Sequence, residues 1–484
     1  MKTQVTILFL IFSSLAIKVS AESPNFLVIL TDDQSWVGTS LLMDPDRPDS
    51  KSDYYQTPHI DALMSAGMRF TDGYASAAWC IPTRRSIQSG TSPSRHLYHR
   101  SPDGNEANFA TGPSIPRALK AANADYVCAH FGKWHLDYKD VTPETLGYDV
   151  SDGDTTNFEG EQAAQEGGDI AQVNKTKDVP DVWEDPKTIF SLTRRTGDFI
   201  EEQTKAGKPW FVQLSHYAVH LKISYREATL EGLKDRPAGE KHTTPEFAAM
   251  TEDLDAGIGQ LWERLKSLDV LDNTYVIFLS DNGGRGEIPI EGRSIPETGF
   301  GRNFPLAESK HSIYEGGLRV PFAIVGPGIE AGSVSRATVS GVDILPTLAD
   351  FAGRTLEVDK SLDGGSIKPV ALGEAKEVQR ARPFLVTQSK GSGEKHRDSA
   401  KPRPSDFKAA IRLGSYKLIK FYGGAGDGHI ELYHLVKDIG EEHNLAKFQP
   451  ERAAQLEKKL DAYLKEVGGI TEQAGKSGRK KGKQ

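Results

Sequence analysis

The chain contains 484 residues, of which 37% are hydrophobic and 26% are charged, and its net charge is −8 at pH 7. This composition is typical of a soluble globular protein and excludes a disordered or fibrous chain. The mildly negative charge argues against nucleic acid as the main partner, because proteins that bind nucleic acid usually present a basic surface. The length allows one large hydrophobic core and a second, smaller one.

The first 21 residues are typical of a secretory signal peptide. Lys2 precedes an apolar run over residues 5–17, and residues 19–21 form a candidate cleavage site. The apolar run is too short to span a membrane, and no second candidate span follows it. We therefore expect a protein that is secreted or periplasmic after cleavage, with no membrane span.

The first predicted strand of the mature chain ends in a pair of acidic residues. Residues 25–30 form a continuous apolar run, as in a strand buried on both faces, and Asp32 and Asp33 follow it. Open α/β sheets build their sites beyond the carboxyl ends of such strands. Paired carboxylates repel each other, so they usually need a cation or a basic partner. A solvated turn with a helix cap is the alternative interpretation.

Cys80 is one of two cysteines in the chain and lies where a helix is predicted to begin. Pro82 suits the first turn of that helix, which runs to Gly90. At this position the backbone N–H groups and the helix dipole favour negative charge on sulfur. A buried cysteine beside a capping proline is the alternative. Cys128 lies in a predicted core strand, and we expect no disulfide between the two.

Three further predicted strands, over residues 126–129, 209–214 and 274–279, also deliver polar side chains beyond their carboxyl ends. These side chains are Lys133 and His135 after the first, His216 and His220 after the second, and Asp281 and Asn282 after the third. Together with the first acidic pair they supply three carboxylates and one amide oxygen. Such a set of oxygen ligands suits Ca²⁺ or Mg²⁺ rather than Zn²⁺. The alternatives are surface loops and histidines satisfied within the core.

The order of the predicted elements indicates an α/β fold with a large, mostly parallel or mixed sheet between layers of helices, followed by a smaller α+β subdomain. Helices are predicted at 57–67, 116–123, 185–205, 244–268 and 343–350. Short antiparallel strands at 407–413, 416–421 and 431–435 and a helix at 450–467 form the smaller part. We place the large domain at 22–388, the smaller one at 389–468, and a basic disordered tail at 469–484.

Several motifs resemble those of the type I sulfatases, a family of the alkaline phosphatase superfamily. The run Cys80-x-Pro-Thr-Arg84 resembles the Cys-x-Pro-Ser/Thr-Arg signature of that family, and Gly-Lys-Trp-His135 resembles a second motif. Asp281-Asn-Gly and a later run, Lys310 with Glu315-Gly-Gly-x-Arg-Val-Pro, complete the series. The motifs occur in the family's order over nearly the whole mature chain, so together they are far more specific than any one of them.

The resemblance implies an alkaline-phosphatase-like fold and a catalytic domain at 22–388. It implies that a formylglycine-generating enzyme oxidises Cys80 to formylglycine (3-oxoalanine), whose hydrated aldehyde attacks sulfur. Ca²⁺, or Mg²⁺ in its place, would be held by the oxidised Cys80 and by four residues from the strand ends. Those four residues are Asp32, Asp33, Asp281 and Asn282.

The same resemblance implies roles for the basic residues. Arg84 and Lys133 would hold the formylglycine, and His220 or Lys310 would help the alcohol leave. His135 would take a proton so that sulfate is expelled. Val219 precedes His220 where the family has proline, so His216 remains a competitor for the catalytic position.

The function expected from the resemblance is hydrolysis of sulfate esters by an exported enzyme. Polar loops at 41–55, 94–103, 151–180 and 285–309 suit a sulfated carbohydrate better than a small aromatic ester. Candidate sugar contacts in these loops are His96, His99, Arg100, Arg285 and Arg302. The alternatives are a phosphomonoester or phosphonate hydrolase of the same superfamily and a catalytically silent glycan-binding protein.

Overall fold

A computed structural model describes residues 23–96, 106–159, 184–286, 302–356, 361–389, 407–422 and 428–469. The expected signal peptide and the basic segment after residue 469 lie outside the described residues, as does most of the loop expected at 151–180. No helix among the described residues combines the length and the apolar character needed to cross a lipid bilayer.

The strands and helices are numbered separately in chain order. The strands are β1 (Asn25–Thr31), β2 (Met68–Phe70), β3 (Gly73–Tyr74), β4 (Val127–Gly132), β5 (Val150–Ser151), β6 (Trp210–Ser215), β7 (Thr274–Ser280), β8 (Phe322–Val325), β9 (Ser333–Ser335), β10 (Val339–Ser340), β11 (Leu385–Ser389), β12 (Phe407–Leu413), β13 (Tyr416–Tyr422) and β14 (Ile430–His434). The helices are α1 (Pro58–Ser65), α2 (Cys80–Ser89), α3 (Glu106–Thr111), α4 (Ile115–Ala122), α5 (Ile189–Lys205), α6 (Glu227–Glu231), α7 (Pro245–Ser267), α8 (Glu315–Leu318), α9 (Ile344–Phe351), α10 (Lys368–Ala371) and α11 (Pro450–Val467).

The large sheet has eight strands in the order β5-β4-β6-β1-β7-β8-β2-β9. The central strands β4, β6, β1 and β7 are parallel to one another, whereas β8 runs antiparallel to β7 and to β2. The mostly parallel sheet predicted from the sequence is therefore confirmed. Since β1 lies between β6 and β7, the four strands that carry the predicted polar residues are adjacent, and their carboxyl ends share one edge.

Both faces of the large sheet are covered by helices. Alternation along β1 sends Leu27 and Ile29 to one face, where α1, α5 and α7 pack. Phe26 and Val28 point to the other face, where residues of α4 and α9 complete the core. The continuous apolar run of β1 reflects burial on both sides, as expected for a strand in a doubly covered parallel sheet.

The smaller domain is a four-stranded antiparallel sheet in the order β11-β12-β13-β14. Leu456, Leu460 and Leu464 of α11 pack on one face of it. The other face lies against Tyr314 and Leu318 of the large domain. The strand β11 was missed from the sequence because its short run, Leu-Val-Thr-Gln-Ser, shows neither sustained apolar character nor a clear turn before its partner.

We predict that Leu254→Ala in α7 destabilises the protein by about 2–5 kcal/mol, because Leu254 is fully buried against the sheet and its truncation leaves a cavity. Urea unfolding of the variant and of the wild type measures this difference. Gln260→Ala, on the exposed face of the same helix, is the matched control and should change stability by less than about 0.5 kcal/mol. Equal effects of the two substitutions would contradict this packing.

Candidate active site

The carboxyl ends of four adjacent parallel strands bring most of the predicted polar residues together. Asp32 and Asp33 follow β1, Lys133 and His135 follow β4, His220 follows β6, and Asp281 and Asn282 follow β7. Asp33 donates its backbone N–H to Asp281 Oδ1 over 3.3 Å, so the two acidic segments, far apart in sequence, are in direct contact. Residues from outside this edge, Cys80 and Lys310 among them, complete the cluster.

Cys80 is the first residue of α2 and points into this cluster. Its Sγ lies 3.7 Å from Asp32 Oδ1 and 3.4 Å from Lys310 Nζ, and the residue is only 4% exposed. The Thr83 hydroxyl fixes the turn, since it accepts the Ala77 N–H and donates to the Ala77 carbonyl, both over 3.0 Å. Residue 80 therefore lies between a carboxylate and an ammonium group.

The protonation state of Cys80 differs from the sequence-based expectation. Burial, followed by the negative charge of Asp281, raises the pKa of the Cys80 thiol to about 12. The helix N-terminus does not compensate for the loss of solvent, so the side chain is a neutral thiol rather than a thiolate. Cys80 and Cys128 are both buried and free of a disulfide.

Three cations pair with the three buried carboxylates. Lys133 Nζ is hydrogen-bonded to Asp32 Oδ2, and Lys310 Nζ lies 2.6 Å from Asp33 Oδ1. Arg84 donates from Nε to Asp281 Oδ2 over 2.9 Å, and its Nη2 lies 2.8 Å from the same oxygen. All six side chains are at most 5% exposed.

These ion pairs set the charge of the acids. Burial alone would raise the pKa of Asp32, but Lys133, with His220, Arg84 and Lys310, holds it well below its usual value. Burial would also raise the pKa of Asp33, but the charge of Lys310 and its hydrogen bond lower it below its usual value. The pKa of Asp281 is instead raised, by burial and by the charge of Asp32. The same acids raise the pKa of Lys310 despite its burial, so it stays charged.

The structure separates the two competing histidines. His220 Nε2 lies 3.8 Å from Asp33 Oδ2, and His220 Nδ1 is 2.6 Å from the Leu221 carbonyl. Burial lowers the pKa of His220 to about 4. His216 is fully buried, and its ring nitrogens have no hydrogen-bond partner among the described residues. Its pKa is lowered to about 3 by burial alone, with no contribution from a charged residue, so His216 belongs to the core and not to the cluster.

His135 is held at the edge of the cluster by its backbone. It has a φ of 52° and donates its N–H to the Thr155 carbonyl over 2.7 Å. Burial, with the nearby charges of Lys133 and Arg84, lowers the pKa of His135 to about 2. The imidazole is therefore neutral at neutral pH.

Two oxygen atoms of the cluster are available to bind a cation. Asp33 Oδ2 and Asn282 Oδ1 are buried and have no hydrogen-bond partner among the described residues. Ligand atoms of Asp32, Asp33, Cys80 and His220 lie within 4.8 Å of one another. Buried polar atoms are nearly always paired, so orphaned oxygens beside a group of carboxylates fit a hard cation such as Ca²⁺ or Mg²⁺. Of these residues, His220 was not in the ligand set expected from the sequence.

Two glycine pairs form a contact that the sequence analysis did not assign. Gly283 follows Asn282 and donates its N–H to the Gly317 carbonyl over 2.9 Å. A Cβ on Gly283 would lie 2.0 Å from the Gly316 carbonyl oxygen, so only glycine fits. The signal was present in the sequence, since Asp-Asn-Gly-Gly and Glu-Gly-Gly each place glycines beside acidic residues, but their pairing depends on the tertiary fold.

The residues predicted to contact sugar lie in different environments. His96 is buried, and its Nε2 lies 3.2 Å from the Pro82 carbonyl, so it supports α2 rather than facing a substrate. Arg302 stacks on the Phe247 ring at 3.7 Å and donates to the Arg285 carbonyl. His99 and Arg100 lie outside the described residues.

The chain is similar to known sulfatases over most of its length. The family model described as Sulfatase matches residues 24–354, and the model described as N-sulphoglucosamine sulphohydrolase, C-terminal, matches residues 308–468. A protein named Sulfatase from Formosa agariphila is 28% identical over 94% of this chain and 91% of its own length. Human N-acetylgalactosamine-6-sulfatase is 27% identical over 72% of this chain and 66% of its own length.

The fold is also found among solved structures. The crystal structure of Ps i-CgsB in complex with k-i-k-neocarrahexaose has a TM-score of 0.69 and covers 91% of this chain and 93% of its own. The two sequences are 22% identical, a level at which the comparison supports the fold alone.

We predict that neither cysteine of unmodified protein reacts with a thiol reagent in the native state, because both are buried and the pKa of each is raised to about 12. Titration with 5,5′-dithiobis(2-nitrobenzoate) should detect both thiols once the protein is unfolded. Cys80→Ser should expose a single thiol on unfolding. Rapid labelling of Cys80 in the folded protein would be inconsistent with the geometry described above.

Proposed function

The chain belongs to the sulfatase family, whose members are sulfuric ester hydrolases, and from this premise we propose that it is an exported enzyme that removes sulfate from a sulfated carbohydrate. The observation that carries the proposal is the position of Cys80, whose Sγ lies between Asp32 and Lys310 in a buried cluster of paired charges. The proposed nucleophile is formylglycine, made from Cys80 by a formylglycine-generating enzyme.

Ca²⁺ is the proposed metal, with Mg²⁺ as a possible substitute. Asp32, Asp33, Asp281 and Asn282 would hold it, together with the modified residue 80. The buried, unpartnered oxygens of Asp33 and Asn282 support this assignment. When bound, the ion supplies positive charge that orients residue 80 and stabilises the sulfate oxygens.

The basic residues have distinct proposed tasks. Residue 80, as the hydrate of formylglycine, would supply the hydroxyl oxygen that bonds to sulfur as the bond between sulfur and the alcohol oxygen breaks. Arg84 and Lys133 fix the carboxylates that orient residue 80, since they pair with Asp281 and Asp32. Lys310 is charged and lies against residue 80, so it can stabilise the departing alcohol together with His220. His135 is neutral at the edge of the cluster and is the proposed acceptor of the proton whose loss expels sulfate.

A carbohydrate substrate is proposed from the rim of the site and from the relatives. Arg302 donates to the Arg285 carbonyl, so a cation lies beside the segment that follows Asn282. The human relative is named for an N-acetylgalactosamine sulfate, and the solved structure contains a neocarrahexaose. Export is proposed from the apolar pattern of residues 1–21.

We predict that Cys80→Ala lowers kcat for sulfate release by about 10³-fold or more, because the nucleophile is lost while the charge pairs remain. Release of inorganic sulfate from a panel of sulfated oligosaccharides measures this effect. Cys128→Ala removes the other buried thiol and should retain activity. Turnover in Cys80→Ala at the wild-type rate would refute the assignment. Hydrolysis of phosphate or phosphonate esters alone, in the same panel, would favour the alternative activity.

We predict that Ca²⁺ stabilises the folded protein, by about 2.7 kcal/mol at a concentration 100 times its Kd, because it binds only the assembled site. Thermal unfolding with a chelator and with added Ca²⁺ tests this without an activity assay. Asp281→Asn should abolish the response. Asp255→Asn, at a buried carboxylate that accepts N–H groups of α1, should retain it. A Ca²⁺ response that persists in Asp281→Asn would exclude the proposed ligand set.

A further inference from the structure

Glu315 is a fully buried carboxylate that the proposed reaction does not use. It begins α8, and its Oε2 accepts hydrogen bonds from the Tyr74 hydroxyl over 2.6 Å and from Arg319 Nε over 2.7 Å. Its Oε1 accepts a hydrogen bond from Lys417 Nζ over 2.9 Å. Buried charges are tolerated only when they are paired, so this arrangement fixes the position of Glu315 closely.

The smaller domain holds both the side chain and the backbone of Glu315. Lys417 lies on β13 and is 2% exposed, and its Nζ also lies 2.9 Å from Glu441 Oε1. Glu441 follows β14, and its Oε2 accepts the backbone N–H of Glu315 over 2.6 Å. Two residues of the smaller domain therefore hold the first residue of α8, Lys417 by its carboxylate and Glu441 by its backbone N–H.

The other side of the same turn contacts the active site through backbone atoms. Gly316 donates its N–H to the Ala307 carbonyl over 2.7 Å, and the Gly317 carbonyl accepts the N–H of Gly283, which follows Asn282. Lys310 lies in the segment between, and it donates its backbone N–H to the Gly284 carbonyl over 3.0 Å.

The backbone around Gly316 and Gly317 is packed so closely that no side chain fits at either position. A Cβ on Gly316 would lie 2.1 Å from the Glu308 carbonyl oxygen, and one on Gly317 would lie 2.0 Å from that of Ser312. In backbone packing this close, a shift of Glu315 must move the segment that carries Lys310.

We propose that Lys417 and Glu441 are positioning residues for catalysis: by holding Glu315, they keep the Lys310 ammonium group against residue 80 and Asp33. The smaller domain then helps to set the active-site geometry through Lys417 and Glu441, whose side-chain hydrogen bonds and ion pairs among the described residues are to Glu315 and to each other. The proposal rests on the proposed function, because it assumes that Lys310 assists departure of the alcohol.

The leaving group distinguishes this role from simple stabilisation of the fold. A loss of folded protein lowers the rate on every substrate by the same factor. A displaced Lys310 slows esters of weakly acidic alcohols, such as sugars, more than esters of acidic phenols, which leave without help. The ratio of kcat for a sulfated sugar to kcat for 4-nitrophenyl sulfate therefore reports on Lys310 and not on the amount of folded enzyme.

Lys417→Met is the test variant, and Lys420→Met is its matched control. Lys420 lies on the same strand but pairs with Asp461 and Glu457 of α11, on the other face of the sheet. We expect Lys417→Met to lower the kcat ratio by about tenfold or more, within the range that general acid catalysis contributes. Lys420→Met should leave the ratio unchanged, and Lys417→Arg, which keeps the charge, should restore most of it.

Each outcome separates the inference from the proposed function. An unchanged ratio in Lys417→Met, or an equal loss in Lys420→Met, would overturn the positioning role. If Lys417→Met does not fold, as judged by circular dichroism and thermal unfolding, Glu441→Ala carries the same test with the same expected fall in the ratio. Wild-type protein that hydrolyses no sulfate ester would instead refute the proposed function and, with it, the basis of the inference.

Discussion

The pairing of three buried carboxylates with three buried cations at one edge of the sheet is the constraint on which the rest of the site depends. Asp32, Asp33 and Asp281 repel one another in a region with almost no solvent, and their ionised forms are tolerable there because Lys133, Lys310 and Arg84 lie against them. In the proposed reaction Lys310 has a second task, because it also stabilises the departing alcohol, whereas Arg84 and Lys133 act by fixing the carboxylates that orient residue 80.

The fold makes this pairing possible. Strand β1 lies between β6 and β7, and β4 lies beyond β6. The residues that follow these four parallel strands therefore lie at a single edge of the sheet. Cys80 reaches the same point because α2 begins there, with its first turn closed by Thr83. The turn at Glu315 adds the smaller domain to this assembly through backbone contacts with Gly283 and with the Lys310 segment.

Much of the fold could be predicted from the sequence because the apolar runs of β1, β6 and β7 and the amphipathic α7 are local patterns. The convergence of the strand ends followed from the parallel topology. Three points could not be predicted from local patterns. The neutral thiol of Cys80 depends on burial, which outweighs the helix N-terminus. The separation of His216 from His220 depends on where the chain turns after β6. The contacts of Lys417 and Glu441 with Glu315 depend on the packing of β13 and β14 against a turn that is distant in sequence.

The central claim is that residue 80, held in this cluster as an oxidised side chain, is the group that reacts with the sulfate ester. The most direct test is the mass of the tryptic peptide Phe70–Arg84 from purified protein that releases sulfate. The account predicts that this peptide carries an aldehyde at position 80, with activity proportional to the fraction converted. Full activity in protein whose Cys80 is entirely an unmodified thiol would contradict it.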